Sequence, residues 1–123
     1  MFIAISHSDP DPIYKQITRQ IKNAIASGEL KKHTKLPSVR EMTNELNVSS
    51  ITVKRVYSDL ENEGYIYTRT GIGSFVADVD RQGLKKEKLE ETKNSLKKLL
   101  AISKKYGITK ADLISLINEL EDE

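Results

Sequence analysis

The stretch from Leu36 to Leu60 constrains the fold of this chain more than any other, because its pattern predicts two helices joined by a tight turn. Ser38 and Glu41 have the Ser-x-x-Glu spacing of a capping box, in which each side chain bonds to a backbone N–H at the start of a helix. Asn47 suits the turn, since asparagine enters the left-handed backbone region at little cost. The stretch therefore predicts a helix-turn-helix.

The second of these helices carries the prediction of function. Its apolar residues have the spacing of one buried face, and they are Val53, Val56, Tyr57 and Leu60. Its N-terminal end, with Ser49 or Ser50 as the N-cap, presents hydroxyls, a cation and one apolar side chain on the other side: Ser49, Ser50, Ile51, Thr52 and Lys54. Such an end suits the major groove of DNA, where hydroxyls and cations bind phosphates or guanine and a methyl group contacts thymine. For Ser49 simple capping is an equal alternative, and for Lys54 the alternative is a solvated lysine.

A β-hairpin is expected directly after the helix-turn-helix, as in a winged helix. Residues 65–69 and 74–77 are rich in strand formers, and residues 70–73 supply the turn. Ile66 and one or both of Phe75 and Val76 should return to the core. Arg69, Gly71 and Gly73 are then free to approach DNA. For the two glycines the alternative, weighed equally, is that a tight turn simply needs positive φ.

A helix that runs to about residue 27 is predicted to come first. Isoleucines recur every four residues at 13, 17, 21 and 25 and give it a buried stripe. Asp11 is expected to cap this helix with Pro12 as its first residue, and Gly28 is expected to end it. Before it, Phe2, Ile3 and Ile5 form either a short strand or a strap against the body.

Several separate motifs give the chain a family resemblance. They are Gly28-Glu29-Leu30, Leu36-Pro37-Ser38-Val39-Arg40, Val48-Ser49 with Thr52-Val53, and Gly71-Ile72-Gly73-Ser74-Phe75-Val76. In order and spacing they resemble the winged-helix domain of GntR-type bacterial transcription regulators, over about the first two-thirds of the chain. The short tail is similar to the YtrA-like branch, whose members carry a small helical dimerisation segment. The resemblance implies a phosphate- or base-contacting arginine at Arg40, and Ser38 beside it joins the predicted DNA-binding residues.

Three positions depart from the pattern of the family. Lys32-His33 stands where the family usually has Pro-Gly, Asn47 where it has Gly, and Ser50 where it often has Arg. The first two are turn positions at which His and Asn are tolerated. At Ser50 the chain lacks an arginine that would read DNA. For Arg40 the alternative to DNA contact is an ion pair with Glu41 or Glu45.

The remaining chain predicts a linker and two further helices. We expect residues 1–77 to form the winged helix, 78–83 a linker, and 84–123 a helical dimerisation segment in which Gly107 separates the helices and residues 109–112 form a second capping box. A helical hairpin this short has too little core to stand alone, so it should pack on a second copy. Folding back onto the winged helix is the alternative. The apolar residues expected in a homodimer interface are Leu89, Leu96, Leu99, Leu100, Leu113, Ile114, Leu116, Ile117 and Leu120.

Composition excludes several classes of protein. The chain has no cysteine, and neither an apolar run long enough to span a bilayer nor a signal peptide is evident, so a cytoplasmic protein without membrane contact is expected. His7 and His33 stand alone, so we expect no metal site. No Ser/His/Asp set, paired buried carboxylates or phosphate-binding glycine loop is evident, so we expect no cofactor and no enzyme activity. Residues 1–80 hold ten Lys/Arg and ten Asp/Glu, while residues 81–123 hold ten and eight, which gives the net charge of +2. A DNA interface must therefore depend on where the charges point.

Together these patterns predict a mainly α fold with a small β-hairpin, namely a winged helix-turn-helix followed by a two-helix C-terminal dimerisation hairpin. The expected function is sequence-specific binding of double-stranded DNA by a homodimeric transcription regulator, a repressor on an inverted-repeat operator. The sequence assigns no small-molecule effector. The alternative is a winged-helix module that binds protein or RNA without sequence-specific recognition of duplex DNA.

Overall fold

The computed structural model describes residues 2–121 as a winged helix followed by two more helices. Within that range, the elements are α1 (Ile13–Ser27), α2 (Val39–Leu46), α3 (Ser50–Asn62), β1 (Ile66–Arg69), β2 (Gly73–Val76), α4 (Arg81–Lys105) and α5 (Lys110–Glu121). They form two compact units, which divide between Arg81 and Gln82. The mainly helical fold with one small hairpin is as predicted.

The core of the first unit joins the predicted apolar faces. The isoleucine stripe of α1, the predicted face of α3 and one residue from each strand supply most of it: Ile17, Ile21, Ile25, Leu36, Met42, Val53, Val56, Tyr57, Leu60, Ile66 and Val76. Because these faces meet in one cluster, the N-terminal parts of α2 and α3 and the hairpin are held at fixed positions by burial of their other sides.

The helix-turn-helix has the predicted caps. The Ser38 hydroxyl accepts the Glu41 N–H at 3.0 Å, and the Glu41 carboxylate accepts the Ser38 N–H at 3.2 Å. Asn47 ends α2 in the left-handed region at φ 54°. Ser49 is the N-cap of α3, since its hydroxyl oxygen accepts the Thr52 N–H at 3.1 Å. These bonds satisfy backbone donors that the helix itself leaves free.

The hairpin pairs Ile66 with Val76 and Arg69 with Gly73 in antiparallel register. Both strands begin one residue away from their predicted starts, at Ile66 and at Gly73. A short segment after α1 also pairs with β2 through the bonds His33 N–H to Val76 O, Val76 N–H to Thr34 O and Leu36 N–H to Ser74 O, at 2.7, 2.9 and 2.8 Å. The sequence did not predict this third row of the wing.

The N-terminal residues form the strap rather than a strand. Gln16 and Gln20 are on α1. The side-chain amide of each one bonds to both the N–H and the C=O of a single residue in the N-terminal segment. The Gln16 amide donates to Ser6 O and accepts the Ser6 N–H, both at 2.9 Å, and Gln20 bonds to both backbone groups of Ala4, at 2.6 and 2.9 Å. Ile3 and Ile5 pack against the core, while Phe2 is 85% exposed.

The predicted start of α1 is wrong by one residue. Pro12 is the N-cap and makes no side-chain cap bond, and the helix begins at Ile13. Asp11 instead accepts a hydrogen bond from Arg19 at 2.8 Å, so its carboxylate forms an ion pair with a side chain of α1 and does not cap the helix. Gly28 ends the helix at φ 86°, as expected.

The second unit consists of most of α4 together with α5. Helix α4 begins at Arg81, so three residues of the predicted linker are helical. Gly107 follows α4 at φ 71°, and Thr109 and Asp112 form the predicted second capping box at 2.9 and 3.2 Å. Neither helix, nor any other in residues 2–121, combines the length and apolarity that crossing a membrane requires.

Candidate nucleic-acid interface

The start of α2 presents the first group of predicted DNA-binding residues. Ser38 and Arg40 are both exposed there. The Ser38 N–H and hydroxyl hold the pKa of the Glu41 carboxyl below its usual value, because both bonds favour the ionised form. Arg40 forms no ion pair within residues 2–121, so the alternative pairing with Glu41 or Glu45 is not present.

The start of α3 presents the second group. Ser49, Ser50 and Lys54 are exposed, and Ile51 is 78% exposed. Thr52 is half-buried, and its hydroxyl lies 2.8 Å from that of Ser49. The helix phase predicted from the apolar spacing is confirmed by the burial of Val53, Val56, Tyr57 and Leu60.

The wing carries the third group. Arg69 and Gly71 are exposed, and Gly73 is half-buried. An open groove runs between the wing and the start of α2, lined by Pro37, Ser38, Val39 and Tyr57 on one side and by Thr68, Arg69, Gly71, Ile72, Gly73 and Ser74 on the other. Ser38 and the three predicted wing residues therefore share one surface.

The two wing glycines differ in what a side chain would meet. Gly71 has φ 78°, and a Cβ on it would touch nothing within 4 Å, so its backbone conformation alone favours glycine. Gly73 has φ 148°, and a Cβ on it would lie 2.8 Å from the Lys35 Cε. At that position glycine leaves room for a neighbouring side chain.

Tyr57 ties α3 to the entry of α2. Its hydroxyl donates to the Pro37 carbonyl, and burial together with the nearby carboxylates Glu41 and Glu45 raises the pKa of Tyr57 above its ordinary value. Tyr57 is the residue that α3 contributes to the groove lining, and it is also buried in the core. The bond therefore holds this part of the groove in place.

The cations of the first unit fall into two groups, those that pair with a carboxylate and those that do not. Within residues 2–121, Arg19, Lys22, Lys32 and Arg55 each lie within 4.0 Å of a carboxylate. Arg55 also lies over the Tyr14 ring, 3.8 Å from its centroid, so it faces α1. The three predicted DNA-contacting cations, Arg40, Lys54 and Arg69, have no such pair in the same range. Five carboxylates of this unit are thus paired with cations other than these three.

The structure also reveals wing residues that the sequence did not single out. His33 lies beside Tyr67, with its Nδ1 2.8 Å from the Tyr67 hydroxyl, and Tyr67 stacks on Phe75 at a centroid distance of 5.5 Å. Ile72 at the tip is 59% exposed. His33 has φ 67°, so both positions where the related family has glycine, His33 and Asn47, have positive φ here. In the described range, no three His, Asp or Glu side chains cluster as metal ligands would.

Comparison with known proteins supplies an independent line of evidence. The profile of the family described as "Bacterial regulatory proteins, gntR family" matches residues 13–76. The HTH-type transcriptional repressor YtrA of Bacillus subtilis (strain 168) is 33% identical over 118 residues, which cover 96% of this chain and 91% of YtrA. The HTH-type transcriptional repressor NagR of the same strain is 36% identical over 105 residues, 85% of this chain but only 40% of NagR.

Solved structures agree with these matches. A GntR family transcriptional regulator from Listeria monocytogenes superposes with a TM-score of 0.72 at 31% identity, covering 91% of this chain and 97% of that one. AraR(DBD) in complex with operator ORX1 superposes with a TM-score of 0.56 at 27% identity, covering 63% of this chain and 99% of that one. The winged-helix region is thus shared with a protein that was solved bound to an operator.

Proposed function

Since the chain belongs to the GntR family of bacterial regulatory proteins, we propose that it is a transcription repressor that binds an inverted-repeat operator as a homodimer in the cytoplasm. The observation that carries this proposal is the exposed surface formed by the starts of α2 and α3 and by the wing, on which Arg40, Lys54 and Arg69 have no intramolecular ion pair. The two curated relatives named above, YtrA and NagR, are both named as transcriptional repressors, which favours that direction of regulation.

Helix α3 is the proposed recognition helix. Its apolar side is buried, so its exposed N-terminal end can enter a major groove without loss of core contacts. Lys54 would contact phosphate or guanine, and Ile51 would contact a thymine methyl group. Ser49 and Ser50 would donate to phosphates, with the partial positive charge of the helix end. Arg40 would contact a phosphate or a base, and Ser38 and the wing residues Arg69 and Gly71 would contact the DNA backbone, with Gly73 beside Arg69 in the hairpin.

A second copy of the chain is the proposed partner of the tail. The predicted interface residues of α4 and α5 are exposed within the single chain: Leu89, Leu96, Leu99, Leu100, Ile114, Leu116, Ile117 and Leu120 range from 39% to 62%, and Leu113 is half-buried. So many exposed leucines and isoleucines on two helices indicate an interaction surface. A two-fold dimer would present two recognition helices, and two-fold symmetry is matched by an inverted repeat.

Selection of bound sequences from random duplexes tests the proposal. The expected result is an enriched motif with two inverted half-sites whose centres lie about one helical turn, or a multiple of it, apart. Recovery of no motif, with weak binding of all duplexes alike, would favour the alternative of a protein- or RNA-binding winged helix. The balanced charge of residues 1–80 is the one observation on that side.

A further inference from the structure

Lys35 lies in the segment that forms the third row of the wing. It faces Phe75 of β2 in an isolated antiparallel bridge. On either side of it, the Leu36 N–H donates to Ser74 O at 2.8 Å and the Val76 N–H donates to Thr34 O at 2.9 Å. The backbone of Lys35 is therefore held by the wing, although the residue belongs to the connection between α1 and α2.

The side chain of Lys35 crosses Gly73. A Cβ on Gly73 would lie 2.8 Å from the Lys35 Cε and 3.7 Å from its Nζ. The first distance is closer than non-bonded carbon atoms approach, so any residue other than glycine would displace the lysine stem. Gly73 pairs with Arg69 in the hairpin. The ammonium of Lys35 thus lies beside the same part of the wing as Arg69.

The charge of Lys35 is not used in an ion pair. No carboxylate of residues 2–121 lies within 4.0 Å of its ammonium, as is also true of Arg40, Lys54 and Arg69. Its positive charge extends to the start of α2, where it adds a small part to the lowering of the pKa of Glu41, which is due mainly to Ser38. Lys35 therefore stands between the wing and α2.

We propose that Lys35 is a further DNA-contacting residue whose ammonium binds a backbone phosphate, and that Gly73 positions it by leaving room for its stem. The proposal rests on the DNA-binding function proposed above. A phosphate is the expected ligand because Lys35 lies beside the wing, which is proposed to contact the DNA backbone, and its ammonium is a point charge on a flexible stem. Gly73 then acts through Lys35 rather than by its own approach to DNA.

The first experiment uses the full chain, a mixed-sequence DNA duplex and several salt concentrations. Lys35→Met removes the charge and keeps most of the stem, and Lys15→Met is the matched control, an exposed lysine on α1 without an ion pair in the described range. Lys35→Met is expected to bind about fivefold more weakly at low salt and to lower the slope of log K against log salt by about 0.9. Lys15→Met should change neither, and Lys35→Arg should bind like the wild type.

The second experiment tests the positioning role of Gly73. Gly73→Ala is made in the wild-type chain and in Lys35→Met. If Gly73 acts through Lys35, the alanine weakens binding severalfold in the wild type and adds little in the Lys35→Met chain, since coupled residues are not additive. Any backbone strain at φ 148° acts in both chains and cancels from the comparison. Equal losses in both chains would show that Gly73 acts independently of Lys35.

The outcomes separate this proposal from the one on which it rests. A wild-type chain that binds no duplex would overturn the DNA-binding function and with it the role of Lys35. Wild-type binding with an unchanged salt slope in Lys35→Met would overturn the role of Lys35 alone. Thermal unfolding of each variant accompanies the titrations, and if Lys35→Met is unfolded, Lys35→Gln compared with Lys35→Arg gives the same contrast of charge.

Discussion

The Tyr57 hydroxyl donates a hydrogen bond to the carbonyl of Pro37, which joins the middle of α3 to the residue before the N-cap of α2. Tyr57 is 8% exposed, so the bond lies at the boundary between the core and the groove. It fixes the relation of the recognition helix to the start of α2, where Ser38 and Arg40 lie. The first two predictions concern this bond.

Tyr57→Phe is expected to lower the free energy of unfolding by about 1 kcal/mol. The substitution leaves the ring and removes one hydrogen bond, and a typical intramolecular hydrogen bond contributes about that amount. Urea denaturation of the wild type and the variant measures the difference. Tyr106→Phe is the control, because Tyr106 is 78% exposed, and it should change stability little. Equal stability of wild type and Tyr57→Phe would show that the bond contributes nothing net.

The stability difference between wild type and Tyr57→Phe should shrink above about pH 10. Burial raises the pKa of Tyr57 in the folded chain, so above the unfolded tyrosine pKa of about 10 the unfolded state loses this proton first. The contribution of Tyr57 is complete below that pH and is lost as the pH rises, by up to about 1.4 kcal/mol per unit. The free energy of unfolding of both chains is measured from pH 9 to 11. Titration of the lysines affects both chains equally, so the difference between them reports on Tyr57 alone. A constant difference would contradict it.

Asn47→Ala is expected to destabilise the chain by about 1 kcal/mol, whereas Asn47→Gly should be neutral or stabilising. Asn47 has φ 54°, a conformation that costs an ordinary L-residue about 1–2 kcal/mol, Asn less, and glycine least. Thermal unfolding compares the two variants. Asn23→Ala, in the exposed middle of α1, is the control and should not destabilise. An alanine at 47 as stable as asparagine would contradict this account of the turn.

Lys54→Ala is expected to weaken binding to the selected operator about tenfold, and Ile51→Ser is expected to alter base preference more than affinity. The reason is that Lys54 offers a charge to phosphate or guanine, while Ile51 offers only apolar contact to a thymine methyl group. Gel-shift titrations with the operator and its base substitutions measure both. Lys15→Ala on α1 changes the charge equally and should bind as the wild type does. Unchanged binding of Lys54→Ala would remove it from the interface.

Ile117→Asp is expected to convert a dimer of about 28 kDa, twice the chain mass of 13.9 kDa, into a monomer. A carboxylate buried in an apolar interface is strongly disfavoured. Light scattering coupled to gel filtration measures the mass over a range of concentrations. Asn118→Asp adds the same charge at the adjacent exposed position of α5 and should remain dimeric. A wild-type mass of one chain at all concentrations would overturn the dimer.

The helices could be predicted from the sequence because their starts and ends depend on local chemistry. The capping box at Ser38 and the left-handed caps Gly28 and Asn47 form hydrogen bonds only with residues three or four positions away, so the local sequence is enough to predict them. The start of α1 was missed by one position, because the carboxylate of Asp11, the predicted N-cap, binds the distant Arg19 instead of the helix end.

The long-range part of the site could not be predicted. The segment around Lys35 pairs with β2 through backbone groups, which every residue has, and only three bonds are involved, so no residue pattern marks it. The role of Gly73 depended on that pairing, because the side chain that crosses it comes from residue 35. Likewise, no sequence pattern indicates that Arg55 of α3 lies over the Tyr14 ring of α1.

The strap has a consequence for which residues of the chain can be exchanged. Gln16 and Gln20 hold Ala4 and Ser6 by backbone groups alone, so the identity of residues 4 and 6 is irrelevant to the attachment, provided each keeps its N–H. Gln16 and Gln20, in contrast, make these bonds with their side-chain amides, so replacing either one removes the bonds. A substitution of Gln16 or Gln20 removes bonds that substitutions at residues 4 and 6 would leave in place, while Ile3 and Ile5 still pack against the core.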